Sequence, residues 1–105
     1  MTAKEFITGL PAQVKPEALE GVNTRFHFDI SGEEGGQYTI SVEDNKIESA
    51  EGLVGDPKCV VSGSADNFMG IVSGKLNPMM ALLTGKIKIS NQGEMLKYAK
   101  MFGLM

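Results

Sequence analysis

Apolar and polar positions in this chain repeat with two different periods, and the period changes near residue 64. Before that point the alternation is by twos. Phe26, Phe28 and Ile30 alternate with Arg25, His27 and Asp29, and Tyr38, Ile40 and Val42 alternate with Gln37, Thr39, Ser41 and Glu43. A period of two predicts strands with one buried and one wet face. The stretch 31–36, Ser-Gly-Glu-Glu-Gly-Gly, is the turn between them. Asp44-Asn45 suits a tight hairpin turn into a weaker strand over residues 46–53. Gly55-Asp56-Pro57 turns again, and residues 58–62 form a short strand around Cys59, Val60 and Val61. On this reading His27 sits on the solvated face.

Elsewhere the period is helical. Thr2 with Glu5 fits a capping box, Phe6, Ile7 and Leu10 mark one face, and Pro11 predicts a stop. Residues 16–19 fit one more turn before Gly21. Ser64 or Asp66 caps a helix carrying Phe68, Ile71 and Val72, which Gly74 ends. Asn77-Pro78 is a strong helix start ahead of Met79, Met80, Ala81, Leu82 and Leu83. Ile87 and Ile89 alternate with Lys86 and Lys88, predicting a fifth strand. Asn91 opens a last helix with Met95, Tyr98, Ala99 and Phe102 on one face. Successive strands joined by tight turns imply antiparallel pairing. The class is therefore α+β: a five-stranded, largely antiparallel sheet with helices covering one face, in a single domain over residues 1–105.

Composition narrows the function. With 105 residues, 42% apolar and 22% charged, the chain has globular values. A net charge of −3 argues against a broad nucleic-acid surface. No apolar run approaches the roughly 20 residues of a membrane span. Lys4 and Glu5 stand where a signal peptide would be apolar, MFGLM is not a peroxisomal address, and the single cysteine suits a reducing setting, so a cytoplasmic location is expected. Six of the seven methionines lie from Met69 onward.

Equipment for catalysis is sparse. His27 is the only histidine, Cys59 has only Lys58 as a basic neighbour, and one His with one Cys makes no usual zinc site. Gly74-Lys75 and Gly85-Lys86 lack the rest of a phosphate loop and read as glycine turns followed by exposed lysines. No catalytic residue, metal site or cofactor is expected. What stands out is apolar: the residues of 76–83 go nearly all round a helix, and Met suits surfaces that fit ligands of varied shape.

The stretch from Asp66 to Ile89, with Gly74-Lys75-Leu76-Asn77-Pro78, an apolar helix and Gly85-Lys86-Ile87-Lys88-Ile89, resembles the signature of the sterol carrier protein 2 domain family. It is similar to a free-standing, prokaryotic-looking member. Thr84 stands where many members carry Gln, and Ile89-Ser90-Asn91 lacks a glycine usual before the last helix. The resemblance implies a hydrophobic tunnel between sheet and helices that binds and moves fatty acids, fatty acyl-CoAs or related lipids without chemistry of its own. Carried over by position, it implies ligand contacts from Phe68, Ile71, Val72, Leu76, Met80, Leu83, Thr84, Ile87 and Ile89. The last helix would close one end through Met95, Leu96, Ala99 and Phe102. Lys75, Lys86 and Lys88 are the candidates for a lipid head group. The alternative is an accessory domain with a filled core that docks on a partner enzyme or homodimerises, and transient membrane contact fits either reading.

Overall fold

The computed structural model describes residues 1–104; Met105, the last residue of MFGLM, lies outside them. In chain order the elements are α1 (Ala3–Gln13), a 3-10 turn (Pro16–Leu19), β1 (Thr24–Ser31), β2 (Gly36–Glu43), β3 (Lys46–Glu51) and β4 (Cys59–Ser64). Then follow α2 (Ala65–Val72), α3 (Pro78–Leu83), β5 (Ile87–Ile89) and α4 (Gln92–Tyr98). The sheet order is β3-β2-β1-β4-β5.

Three of its four pairings are antiparallel, and β1 with β4 is parallel. The β2–β3 hairpin turns at Asp44 and Asn45, with φ of 51° and 61°. Both central residues of this turn must be left-handed, and short polar side chains tolerate that without glycine. The parallel pair follows from the next connection. From the edge strand β3 the chain crosses the sheet face over β2 and β1 before entering β4. Gly52 N–H donates to the Gln37 carbonyl (2.7 Å), and the Thr39 hydroxyl donates to the Gly52 carbonyl (2.7 Å). Val54 N–H donates to Thr39 Oγ1 (2.9 Å), and Lys58 N–H to the Arg25 carbonyl (2.8 Å).

This crossing corrects the expectation of a fully solvated outer face. His27 does point away from the helices, but it is only 6% exposed, with Nε2 at 2.9 Å from the Val54 carbonyl. Thr39 beside it is 2% exposed. Sequence period set their face correctly; only the chain path decided that the face is covered.

The helices lie on the other face. There Phe26 pairs with Ile40 and Cys59, Phe28 with Tyr38 and Val61, and Ile30 with Gly63. Phe68 of α2 meets Phe28 at 5.9 Å and Phe6 of α1 at 5.8 Å, and Phe102 meets Phe26 at 5.0 Å, all edge-on. Helix α1 runs through Pro11 rather than stopping there. An interior proline costs about 3 kcal/mol. Leu10 just before it and Val14 at the C-cap are both buried, each worth roughly 1.5–3 kcal/mol, so packing wins. Its start is the expected capping box, in which Thr2 N–H donates to the Glu5 carboxylate (2.9 Å) and, with the Thr2 hydroxyl, holds that carboxyl below its usual range.

The repeated Gly-Lys pairs have a structural cause. Gly74 and Gly85 take φ of 81° and 76° after α2 and α3. The N–H of Lys75 then donates to the Gly70 carbonyl (2.9 Å), and that of Lys86 to the Ala81 carbonyl (2.9 Å). This six-to-one bond is the Schellman ending, which needs a left-handed residue. Gly103, at 73°, repeats it with Leu104 and Ala99.

Two glycine substitutions should therefore have opposite signs. Gly85→Ala is expected to destabilise by about 1 kcal/mol or more, because L residues resist this conformation. Gly9→Ala, inside α1 where a Cβ meets nothing within 4 Å, is expected to stabilise by up to about 1 kcal/mol. Urea unfolding of the two variants checks both signs.

Candidate functional site

At the β4–β5 end the helices do not close on the sheet. A cavity of about 390 Å³ lies there, walled by α2, α3 and α4. Its floor is Val61, Ile87 and Ile89. Val61 pairs with Ile89, and Ile87 pairs with Gly63, where a Cβ would stand 3.2 Å from the Ile87 Cδ1 and 3.0 Å from the Lys86 carbonyl oxygen. The glycine lets the short edge strand approach. Phe68 and Ile71 come from α2; Asn77, Pro78, Met79 and Leu82 come from the start and inner face of α3. Gln92, Met95, Leu96 and Ala99 come from α4 and its end, and Leu104 closes the set. Met79 and Leu96 line the cavity yet are 58% and 62% exposed, so they form its rim.

Among the described residues, only two polar side chains line this space, Asn77 and Gln92. Asn77 Oδ1 is occupied as the cap of α3, accepting from the N–H groups of Met79 (2.9 Å) and Met80 (3.2 Å). The lining thus offers a long apolar surface with carboxamides as its polar groups. No lysine is among them.

Of the residues implied by resemblance, the cavity brings together Phe68, Ile71, Ile87, Ile89, Met95, Leu96 and Ala99. The others are placed elsewhere. Met80 and Leu83, 54% and 74% exposed, share the outer face of α3. With 3.6 residues per turn, Met79 and Leu82 take the inner face instead. The Thr84 hydroxyl donates back to the Met80 carbonyl (2.7 Å). Leu76 packs against Gly70. Phe102 is 1% exposed against Phe26, and both Phe102 and Val72 border a second groove, of about 470 Å³, between α1 and the C-terminal turn. Lys86 and Lys88 alternate with Ile87 on β5 and its approach, so they point away from the cavity; Lys75 is exposed in the α2–α3 connection. Residue reasoning passed over Val61, Asn77, Pro78, Met79, Leu82, Gln92 and Leu104. The i, i+3 spacing of Met79 and Leu82 was a usable signal, and so was the alternation of Val61 with Val60; for Gln92 and Leu104 the sequence held none.

His27 and Cys59 lie on opposite faces of the sheet and cannot act together. Cys59 is fully buried against Phe26, and burial pushes its thiol up. Among the described residues no three His, Cys, Asp or Glu side chains gather as a metal site, and no helix is long and apolar enough to cross a membrane.

The sequence model of the SCP-2 sterol transfer family matches residues 4–105. The chain belongs to that family. It is 35% identical over 91 residues to hydroxysteroid dehydrogenase-like protein 2 of Bos taurus, covering 85% of this chain and 22% of that protein. The chain spans about a quarter or less of the length of the curated relatives it matches. Palmitated SCP2L2 from Aedes aegypti has the same fold, with a TM-score of 0.74 at 20% identity, over 97% of this chain and 95% of that one. The sec-alkylsulfatase Pisa1 from Pseudomonas sp. contains it too, with a TM-score of 0.77 at 16% identity, over 100% of this chain and 16% of that one.

In this SCP-2 family chain, α4 is held by polar bonds rather than by its short apolar face alone. The buried Thr24 hydroxyl donates to the Glu94 carboxylate (2.5 Å), and Asn91 Nδ2 donates to the Lys58 carbonyl (3.1 Å). Cys59 lies beneath this attachment. Its thiol is expected to resist iodoacetamide in the folded protein and to react in urea. Because the folded pKa is raised, the unfolded chain loses its proton first. Stability linked to Cys59 is therefore present below the ordinary thiol range and lost as pH rises through the folded value. Wild type should weaken more than Cys59→Ala as pH rises above the ordinary thiol value of about 8.5, read by urea midpoints.

Proposed function

We propose that this chain carries a single long apolar chain of the fatty acyl class, taken up and released by burial alone, without chemistry of its own. The observation that carries this reading is the cavity: about 390 Å³, apolar apart from two carboxamides, and open at a Met-Leu rim. Sites for small molecules run from roughly 300 to 1,000 Å³, so it suits one slender ligand better than a bulky one. Its membership of the SCP-2 sterol transfer family and its likeness to a palmitated protein support the same reading.

Magnitudes favour a long chain. Micromolar affinity needs about 8 kcal/mol. Association costs at least roughly 4 kcal/mol, so about 12 kcal/mol must come from burial. At about 0.8 kcal/mol per methylene, that is on the order of 15 methylenes. A polar end would meet Gln92 and the Asn77 amide at the lining, not a lysine.

A second reading has its own support. Relatives and the sulfatase contain this unit as a minor part of a longer chain, which fits an accessory domain serving an enzyme, in cis or as a docked partner. In that reading the cavity hands its ligand to chemistry performed elsewhere.

Displacement of a fluorescent fatty acid, with native mass spectrometry of the complex, tests the carrier reading. Leu82→Trp or Ile89→Trp, which fill the cavity, should weaken binding by at least about tenfold, equivalent to 1.4 kcal/mol. Lys86→Glu with Lys88→Glu should leave it unchanged, since both side chains point away. A folded wild type that takes up no acyl probe would refute the reading and leave the accessory-domain view in its place.

A further inference from the structure

A second opening lies across the ring cluster from the cavity. It is the groove of about 470 Å³ between α1 and the C-terminal turn, walled by Phe6, Leu10, Val72 and Phe102. The two spaces are separate, and no described residue lines both. Ile71 lines the cavity and Val72, next in the chain, lines the groove. Phe68 on the cavity side meets Phe6 on the groove side edge-on at 5.8 Å, so a layer of rings forms the partition.

Gly9 also lines the groove. It stands inside α1, where glycine is among the least favourable residues. Nothing in the fold asks for it there. Its φ is not left-handed, and a Cβ would meet nothing within 4 Å. A residue that breaks the local rule without a packing reason is expected where a site needs open space. The polar side chains of the lining are Glu5, Gln13 and Lys100. Glu5 is engaged in its own capping box, its carboxylate accepting from the Thr2 N–H at 2.9 Å. Lys100 forms no ion pair among the described residues, and it is the one side-chain cation lining either space.

We propose that this groove is a second ligand site and that it takes an aliphatic carboxylate, with the alkyl chain over Gly9 between Phe6 and Phe102 and the carboxylate at Lys100. Charge and shape select the occupant. An apolar trough with one side-chain cation matches an anionic amphiphile, whereas the cavity offers a head group carboxamides alone. The volume lies within the roughly 300–1,000 Å³ of small-molecule sites. The gap that Gly9 leaves is one side chain wide, which suits a slender chain. The proposal does not need the carrier reading, because the two spaces share no residue.

Native mass spectrometry of the full chain with dodecanoate counts the sites. Wild type should bind two molecules, and Leu82→Trp and Gly9→Leu should each leave one. Gly9→Leu puts a better helix former into α1 and fills the groove, so the fold is kept while the groove molecule weakens at least about tenfold. Lys100→Glu changes an exposed side chain and should weaken the groove molecule about threefold or more in titration calorimetry, less as salt is added. A wild type that binds one dodecanoate, lost in Leu82→Trp and kept in Gly9→Leu, would overturn the groove site and leave the carrier reading standing. One dodecanoate with the opposite response would uphold the groove and sink the carrier reading. Two molecules that both survive Gly9→Leu would overturn the proposal. Groove binding indifferent to Lys100→Glu would overturn the carboxylate class.

Discussion

The edge-on packing of Phe26 and Phe28 with Phe68 and Phe102 is the contact on which the rest of the molecule depends. These rings are almost fully buried and join β1, α2 and the C-terminal turn. Phe6 and Tyr98 extend the cluster to α1 and α4. Aromatic rings fill volume that aliphatic chains cannot, and here nearly all of them are spent on one side of the domain. Among the described residues, Phe68 is the only aromatic one that lines the cavity bordered by β5, α3 and α4. A three-residue strand and a six-residue helix cannot close that gap with Met, Leu and Ile. The cavity is what that uneven distribution of rings leaves.

The same division explains how a loosely filled region stays ordered. Helix α3 is short, and an isolated helix of that length would not persist. Its ends are fixed by an Asn cap and a left-handed glycine, and α4 is tied to the sheet through Thr24 and Asn91. Polar bonds at the ends thus do what apolar packing does elsewhere. The inner faces of both helices are left to line an open space, and their outer faces to meet whatever approaches the rim.

The outer sheet face shows a different economy. The chain segment that carries β3 to β4 covers His27 and Thr39 and gives their polar atoms partners. The lone histidine lies under a crossing loop, on the opposite face of the sheet from Cys59, so the two cannot act as a pair.

What the sequence by itself determined was local. Period-two alternation placed Phe26, Phe28, Tyr38 and Ile40 on one face, Asn77-Pro78 began α3, and Gly74 and Gly85 ended helices, because each of these rests on neighbouring residues. The stretch 66–89 that carries the family signature supplies eight of the fourteen described residues that line the cavity. Tertiary structure decided the rest. The parallel β1–β4 pair, the burial of His27, and the helix continuing past Pro11 all depend on residues distant in the chain. So does the choice among apolar residues of those that line the cavity. Met79 and Met80 are adjacent and chemically identical, yet one borders the cavity and the other faces outward. A rotation of about 100° per residue separates them, and only the seat of α3 against β5 fixes where that rotation points.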